Sequence, residues 1–195
     1  MAAKVEIYLD VQCWLNPYRI FQLIATSPET IEISKIDNWS WENELRLGAT
    51  ADIQRVVDNG RIVLIDSFDK NYGNIGLSIE RSGQSYLYSL WFDTYLMEFL
   101  DSSVITRENV GFYRKIYSRF SDLVCGTNLD FRYLAIGSEA VLKSDADINE
   151  MIFSSSGIAA WIISKSHFLI SEHIPYSCKY IDAINAYLLE KRKDF

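Results

Sequence analysis

Three apolar, β-branched segments follow one another with almost nothing between them: 61–68, 74–81 and 85–92. Connections this short cannot hold the crossover that parallel strands need, so they predict a mainly antiparallel sheet. The first contains Ile62-Val63-Leu64-Ile65, apolar on both faces, which predicts a central strand. Ser82-Gly83-Gln84 reads as the hairpin turn between the other two, because glycine takes positive φ without a steric penalty. Gly73-Asn74-Ile75-Gly76 leads into a strand and lacks the third glycine of a dinucleotide loop, so it reads as a turn. In 85–92, Tyr86, Tyr88 and Leu90 alternate with Leu87, Ser89 and Trp91, so both faces are partly covered.

The remaining chain predicts helices around such a sheet. Residues 4–11 alternate: Val5, Ile7, Leu9 and Val11 face one way, Lys4, Glu6, Tyr8 and Asp10 the other, a strand with one buried face. Asn16-Pro17 starts a helix and Ser27-Pro28 ends it; 30–36 alternates again, and this strand–helix–strand unit allows a parallel pairing. Residues 49–57 have helical spacing, with Asp58-Asn59-Gly60 as the stop. A short helix is expected over 93–100. Thr106-Arg107-Glu108-Asn109 caps a long helix carrying Val110, Tyr113, Ile116, Tyr117 and Phe120, with Gly126 just past its end. A strand at 129–136, a short helix at 145–153 and a buried strand at 158–164 follow. The C-terminal stretch 178–193 predicts a helix striped by Ile181, Ile184 and Leu188, with Lys191, Arg192 and Lys193 at its end. The fold class is therefore α+β: a mainly antiparallel central sheet with helices packed on it, in a single domain over 1–195, weakly subdivided near 101–106.

Composition excludes several functions. With 49% hydrophobic and 14% aromatic residues, the 195-residue chain can bury a core and is not intrinsically disordered. A net charge of −7 argues against a nucleic-acid binder, whose footprint is basic. Cys13, Cys125 and Cys178 are odd in number and widely spaced, fitting neither a disulfide framework nor a zinc site, and are expected to be buried reduced thiols. Met1-Ala2-Ala3-Lys4-Val5-Glu6 does not begin a signal peptide, and the apolar run Ile158-Ala159-Ala160-Trp161-Ile162-Ile163 is too short to span a bilayer. A cytoplasmic location without membrane contact is the expectation.

Catalytic signatures are sparse. His167 and His173 are six apart, the wrong spacing for a helical metal pair, although one strand face could carry both. They support the alternative reading, a small cytosolic hydrolase or transferase using His167 or His173 with a serine or carboxylate. Ser154-Ser155-Ser156-Gly157 lacks the first glycine of a nucleophile elbow and reads as a turn. Asp66 with Asp69 and Glu42 with Glu44 are close carboxylates, more simply solvated surface than a catalytic pair. The leading expectation is a non-enzyme with no cofactor and no metal.

The acids are concentrated. Residues 1–100 hold 14 acids and 8 bases, so −6 of the −7 lies there. Stretch 29–69 alone has nine acids and four bases, and contains Trp39 and Trp41. Two tryptophans at i, i+2 share a strand face. They are either core or, if exposed, the aromatic anchors that dominate interfaces. Surrounding carboxylates would steer a basic partner towards them. The candidate partner-binding residues are Asp37, Trp39, Trp41, Glu42, Glu44, Asp58, Asp66 and Asp69.

Asp37-Asn38-Trp39-Ser40-Trp41-Glu42-Asn43-Glu44, the hairpin end Ser89-Leu90-Trp91-Phe92-Asp93, and Ser156-Gly157-Ile158-Ala159-Ala160-Trp161-Ile162-Ile163 give the chain its character. In these it resembles the small acidic immunity proteins of bacterial contact-dependent inhibition and other polymorphic-toxin systems. The resemblance is one of style over most of the chain. It implies a non-enzymatic protein that binds one cognate toxin domain tightly and neutralises it; the acidic surface adds the expectation that this domain is basic.

Overall fold

Gly83, at φ +60°, reverses the chain between strand β4 (Gly73–Ser82) and strand β5 (Ser85–Asp93), which pair from Ile75↔Phe92 to Ser82↔Ser85. Gly73, at φ +72°, does the same between β3 (Val63–Asp69) and β4. There the Asp69 carboxylate accepts hydrogen bonds from the backbone N–H groups of Asn71 (2.7 Å) and Tyr72 (3.3 Å). The turn expected over 73–76 is thus confined to its first residue; Gly76 lies inside β4.

The computed structural model describes residues 4–25, 32–38, 50–94, 100, 103–138, 142, 147–168 and 174–193. Its other strands are β1 (Lys4–Val11), β2 (Glu32–Asn38), β6 (Phe131–Ser138), β7 (Ile158–Ser164), β8 (Ser177–Ile181) and β9 (Ala186–Glu190). Its α-helices are α1 (Pro17–Phe21), α2 (Thr50–Asp58), α3 (Val110–Thr127) and α4 (Ile148–Ser154). One nine-stranded sheet runs in the order β2-β3-β4-β5-β1-β6-β7-β9-β8, antiparallel at every step. The sheet is the large antiparallel one expected. β1 does not pair with β2, so the parallel pairing allowed by the first strand–helix–strand unit is absent. Ile105↔Arg192 is an isolated parallel bridge outside the named strands. β1 also sits between β5 and β6, placing strands from both sides of 101–106 in one ladder.

The largest correction is C-terminal. The predicted helix over 178–193 is the hairpin β8–β9, reversed through a 3₁₀ turn and Asn185 at φ +49°. The interior strand β9 is apolar on both sides: Ala186 and Leu188 enter one core, Leu189 the other. Such a strand has no period that separates it from a buried helix. β3 differs in the opposite sense. Val63 and Ile65 are fully buried while Asp66 and Phe68 are exposed, so it is one-sided and lies next to edge strand β2 rather than at the centre.

Helix signals fared better. The Asn16 carboxamide accepts the Tyr18 N–H at 3.0 Å, with Pro17 in the first turn. Thr106 and Asn109 bond each other reciprocally ahead of α3: the Thr106 N–H donates to Asn109 Oδ1 at 2.7 Å and the Asn109 N–H to Thr106 Oγ1. α3 ends on Asn128 at φ +50°, one residue beyond Thr127, so Gly126 lies within its last turn. The helix expected over 93–100 falls mostly outside the described residues.

Two clusters of buried side chains use the two faces of the sheet. The larger takes Val5, Ile7 and Leu9 of β1, alternate residues of β3, β4 and β5, and Ile20, Phe21, Val57, Ile116 and Phe120 from the helices. Phe120 of α3 meets Phe131 of β6 edge-on at 5.0 Å. Arg119 of α3 donates to the carbonyl oxygens of Leu23 and Ile24, which follow α1. The second cluster covers β1, β6, β7 and β9 with Leu142, α4, Phe168 and Tyr176 around the fully buried Trp161. Tyr8 joins this cluster and Asp10, paired with Arg132, is buried as well, although the alternation of β1 had assigned both to solvent. All three cysteines are exposed and unbridged, correcting the expectation of buried thiols: Cys13 follows β1, Cys125 lies on the outer side of α3, and Cys178 is on edge strand β8.

Candidate functional site

Among the described residues, no buried apolar cluster covers the second cluster's face of the sheet where that cluster stops. None of its residues comes from β3 or β4, and only Leu87 comes from β5. On this face the ladder brings together residues far apart in sequence. One rung crosses Asp66, Gly76, Trp91 and Glu6. The next begins Phe68↔Asn74 and ends Asp93↔Lys4. Glu80 lies two positions further along β4 than Ser78, on the same face. Asp66, Asn74, Asp93 and Lys4 are exposed, Trp91 is half-buried, and Phe68 is 47% exposed. Glu6, Asp66, Glu80 and Asp93 set four carboxylates against the ammonium of Lys4. Edge strand β2 adds Asp37 in register with Leu64, and Lys35 in register with Asp66.

Trp91 is held there by a glycine. A Cβ at position 76 would overlap the indole atoms Cε2, Cζ2 and Nε1 of Trp91, so the ring occupies the space of the missing side chain. Beside it, Lys4, Asp66, Ser67, Asn74, Ile75, Gly76, Trp91 and Asp93 line a groove of about 350 Å³.

The sequence-predicted residues divide. Asp66 is on this face, and Asp37 belongs to the strand beside it. Asp69 is completely buried under the other face, where it ties the β3–β4 turn, so it offers no carboxylate to a partner. Asp58 ends α2 and is committed internally: it accepts from Arg81 at 2.9 Å and from the Tyr86 hydroxyl at 2.5 Å. Trp39, Trp41, Glu42 and Glu44 lie outside the described residues, as does His173. His167 is half-buried in a single 3₁₀ turn, Lys165–His167. Ser154 is spent on its own helix, donating to the Glu150 carbonyl at 2.8 Å. Among the described residues no three His, Cys, Asp or Glu side chains converge to hold a metal ion, and no described helix is long and apolar enough to cross a membrane.

Sequence reasoning missed Trp91, Asp93, Asn74 and Lys4 as one constellation. The available signal was Gly76: a glycine inside a strand pattern marks a close approach, here by the indole opposite it. It also missed Asp10, buried without exposure at the boundary of the covered region. Its Oδ2 accepts from the Arg132 guanidinium at 3.0 Å. Burial pushes this carboxyl up to about 6, against the lowering effect of Arg132 and Ser85. Burial, and then the Glu6 carboxylate, likewise pushes the Tyr8 hydroxyl above its usual range.

Set against models of known protein families, curated proteins and solved structures, the chain has no significant match.

Proposed function

We propose that this chain is a non-enzymatic, immunity-type protein of the cytoplasm that neutralises a basic toxin domain by docking the bare face of β3, β4 and β5 on it. The observation that carries the reading is the pairing of chemistry with exposure. The half-sheet left uncovered by the second cluster is also where Glu6, Asp66 and Asp93 lie on the same two rungs as Trp91 and Phe68. Aromatic side chains supply most of the binding energy at protein interfaces, and charge complementarity sets encounter rate and partner choice. A toxin that cuts nucleic acid needs a positive cleft, and an acidic plug excludes its substrate without chemistry of its own.

The test begins beside the gene. The reading is that the adjacent reading frame encodes a large secreted protein with a toxic C-terminal domain. That domain, expressed in a bacterial host, should arrest growth, and this chain should restore it. Asp66→Lys with Asp93→Lys should abolish protection and weaken binding at least tenfold by calorimetry, with the circular dichroism spectrum unchanged. Absence of a toxic domain beside the gene, or full protection by the charge-reversed variant, overturns the reading.

A further inference from the structure

We propose that the cleft between α1 and α3 binds a phosphoryl group, as free phosphate or on a small monoester. Both helices pack on the larger cluster, on the opposite side of the sheet from the docking face, so the site stands apart from the binding reading above. Arg19 of α1, with Gln22 and Leu23 just past its end, faces Arg119, Asp122 and Leu123 of α3 across a pocket of about 210 Å³. Each wall repeats one arrangement: an arginine, a polar side chain three residues on, and a leucine beside it. Leu23 and Leu123 are buried and belong to the core behind the pocket.

The positive charge here is not neutralised from within the chain. Nη1 of Arg119 donates to the carbonyl oxygens of Leu23 and Ile24, which fixes the guanidinium against the end of α1. Those acceptors are neutral, and the Nε and Nη2 donors have no acceptor among the described residues. No ion pair among the described residues includes Arg19 or Arg119. Lys115, one turn before Arg119, adds to the same patch. Burial and then the Arg119 guanidinium hold its ammonium below the usual range, against the opposing pull of Asp69. Asp122 is exposed and pairs with neither arginine, so two guanidiniums and one carboxylate leave the lining net positive. A cation would meet both guanidiniums, and an apolar group would cover their donors without a partner, which is costly. A carboxylate brings one charge and two oxygens. A phosphoryl group brings a charge of about −1.5 to −2 at pH ~7 and three acceptor oxygens. These suffice for the forks of two guanidiniums and the Gln22 carboxamide N–H.

The experiment titrates the full chain at constant ionic strength with inorganic phosphate, glycerol 1-phosphate and acetate. It follows the Gln22 side-chain amide, assigned through Gln22→Met, and the Arg119 Nε–H, assigned through Arg119→Lys. Both phosphates should shift the two signals with an affinity of about millimolar, and acetate should bind at least about fivefold more weakly. Equal affinity for the two phosphates assigns free phosphate as the ligand, and tighter binding of glycerol 1-phosphate assigns an ester. Arg19, Arg114 and Asp122 are exposed, so variants there keep the fold. Arg19→Gln should weaken phosphate at least about threefold, and Asp122→Asn, which removes the one repelling charge, should tighten it at least about twofold. Arg114→Gln, on α3 but outside the pocket, should change nothing. Silent Gln22 and Arg119 signals, an equal response to acetate, unaltered affinity in Arg19→Gln or Asp122→Asn, or an equal loss in Arg114→Gln overturns the proposal.

Discussion

Asp10 is the sharpest test of the packing described here, because burial and charge pull it in opposite directions. It sits with no exposure on β1, paired in register with Leu87 on one side and Tyr133 on the other. Arg132 is its ion-pair partner at 3.0 Å, with 21% of the Arg132 side chain exposed. Burial outweighs that partner and raises the carboxyl from 3.8 to about 6. Each tenfold change in proton affinity is worth about 1.4 kcal/mol, so the difference between folded and unfolded chain amounts to about 3 kcal/mol. The direction follows. The folded state holds the Asp10 proton more tightly, so its contribution to stability is fully present below the unfolded value of 3.8 and is lost as pH rises through 6. Other carboxylates titrate over the same range, and Asp10→Asn removes only this one. Urea denaturation of both proteins, followed by tryptophan fluorescence, isolates the term. The stability of wild type relative to Asp10→Asn should fall by about 3 kcal/mol between about pH 4 and about pH 8, with its midpoint near 5. A difference that is flat, or that grows with pH, would show that Arg132 governs Asp10 and that the assigned balance of burial and charge is wrong.

The two crowded glycines predict contrasting outcomes. A Cβ at Gly137 would collide with the Gly157 carbonyl oxygen and lie 2.8 Å from Ile158 Cα, both backbone; Gly137→Ala should cost about 1–3 kcal/mol in urea denaturation. At Gly76 the obstacle is the Trp91 ring on the open face, which can swing away, so Gly76→Ala should move the Trp91 indole resonance while costing less than about 1 kcal/mol. Equal costs at the two sites would contradict the distinction between a rigid and a yielding neighbour. Trp161 is fully buried and meets Tyr133 edge-on at 5.6 Å; Trp161→Ala should lose about 3–5 kcal/mol, read as an earlier melting transition. Asp58 and Arg81 are about one-third exposed, so Asp58→Ala should cost only about 1 kcal/mol despite losing both Arg81 and Tyr86, and high salt should shrink even that.

What the sequence made legible was local. Gly83 needed positive φ, Asn16-Pro17 needed a helix after it, and Val110 to Phe120 repeated with helical spacing; each feature stood where short-range sterics put it. The failures share one physical origin, burial on both faces. Tyr8 and Asp10 look solvent-facing by alternation because nothing in 4–11 announces that Tyr8 will join the second cluster and that Asp10 will be enclosed beside Arg132 and Ser85. β9 looks helical because both its faces are apolar. The acids misled for a related reason. Asp58, Asp66 and Asp69 are alike in the sequence, yet Asp58 pairs with Arg81 of β4, Asp66 stands in register with Lys35 and Gly76 on the opposite face, and Asp69 ties a turn under the core. A carboxylate's availability is decided by which strand lies beside it.

An open sheet face alone argues little, since antiparallel sheets commonly leave one face to solvent. The weight comes from what this sheet does with its two halves. β6, β7 and β9 spend apolar residues on both sides, and Trp161 disappears completely between Tyr133 and the α4 layer. In β3, β4 and β5 most apolar residues go to one side, and the other receives carboxylates, serines, Leu64, Leu87 and two large aromatics. Phe68 at 47% exposure and an indole seated on a glycine share that side with Asp66 and Asp93. The proposed docking of a basic partner rests on this pairing of aromatic area with like charge.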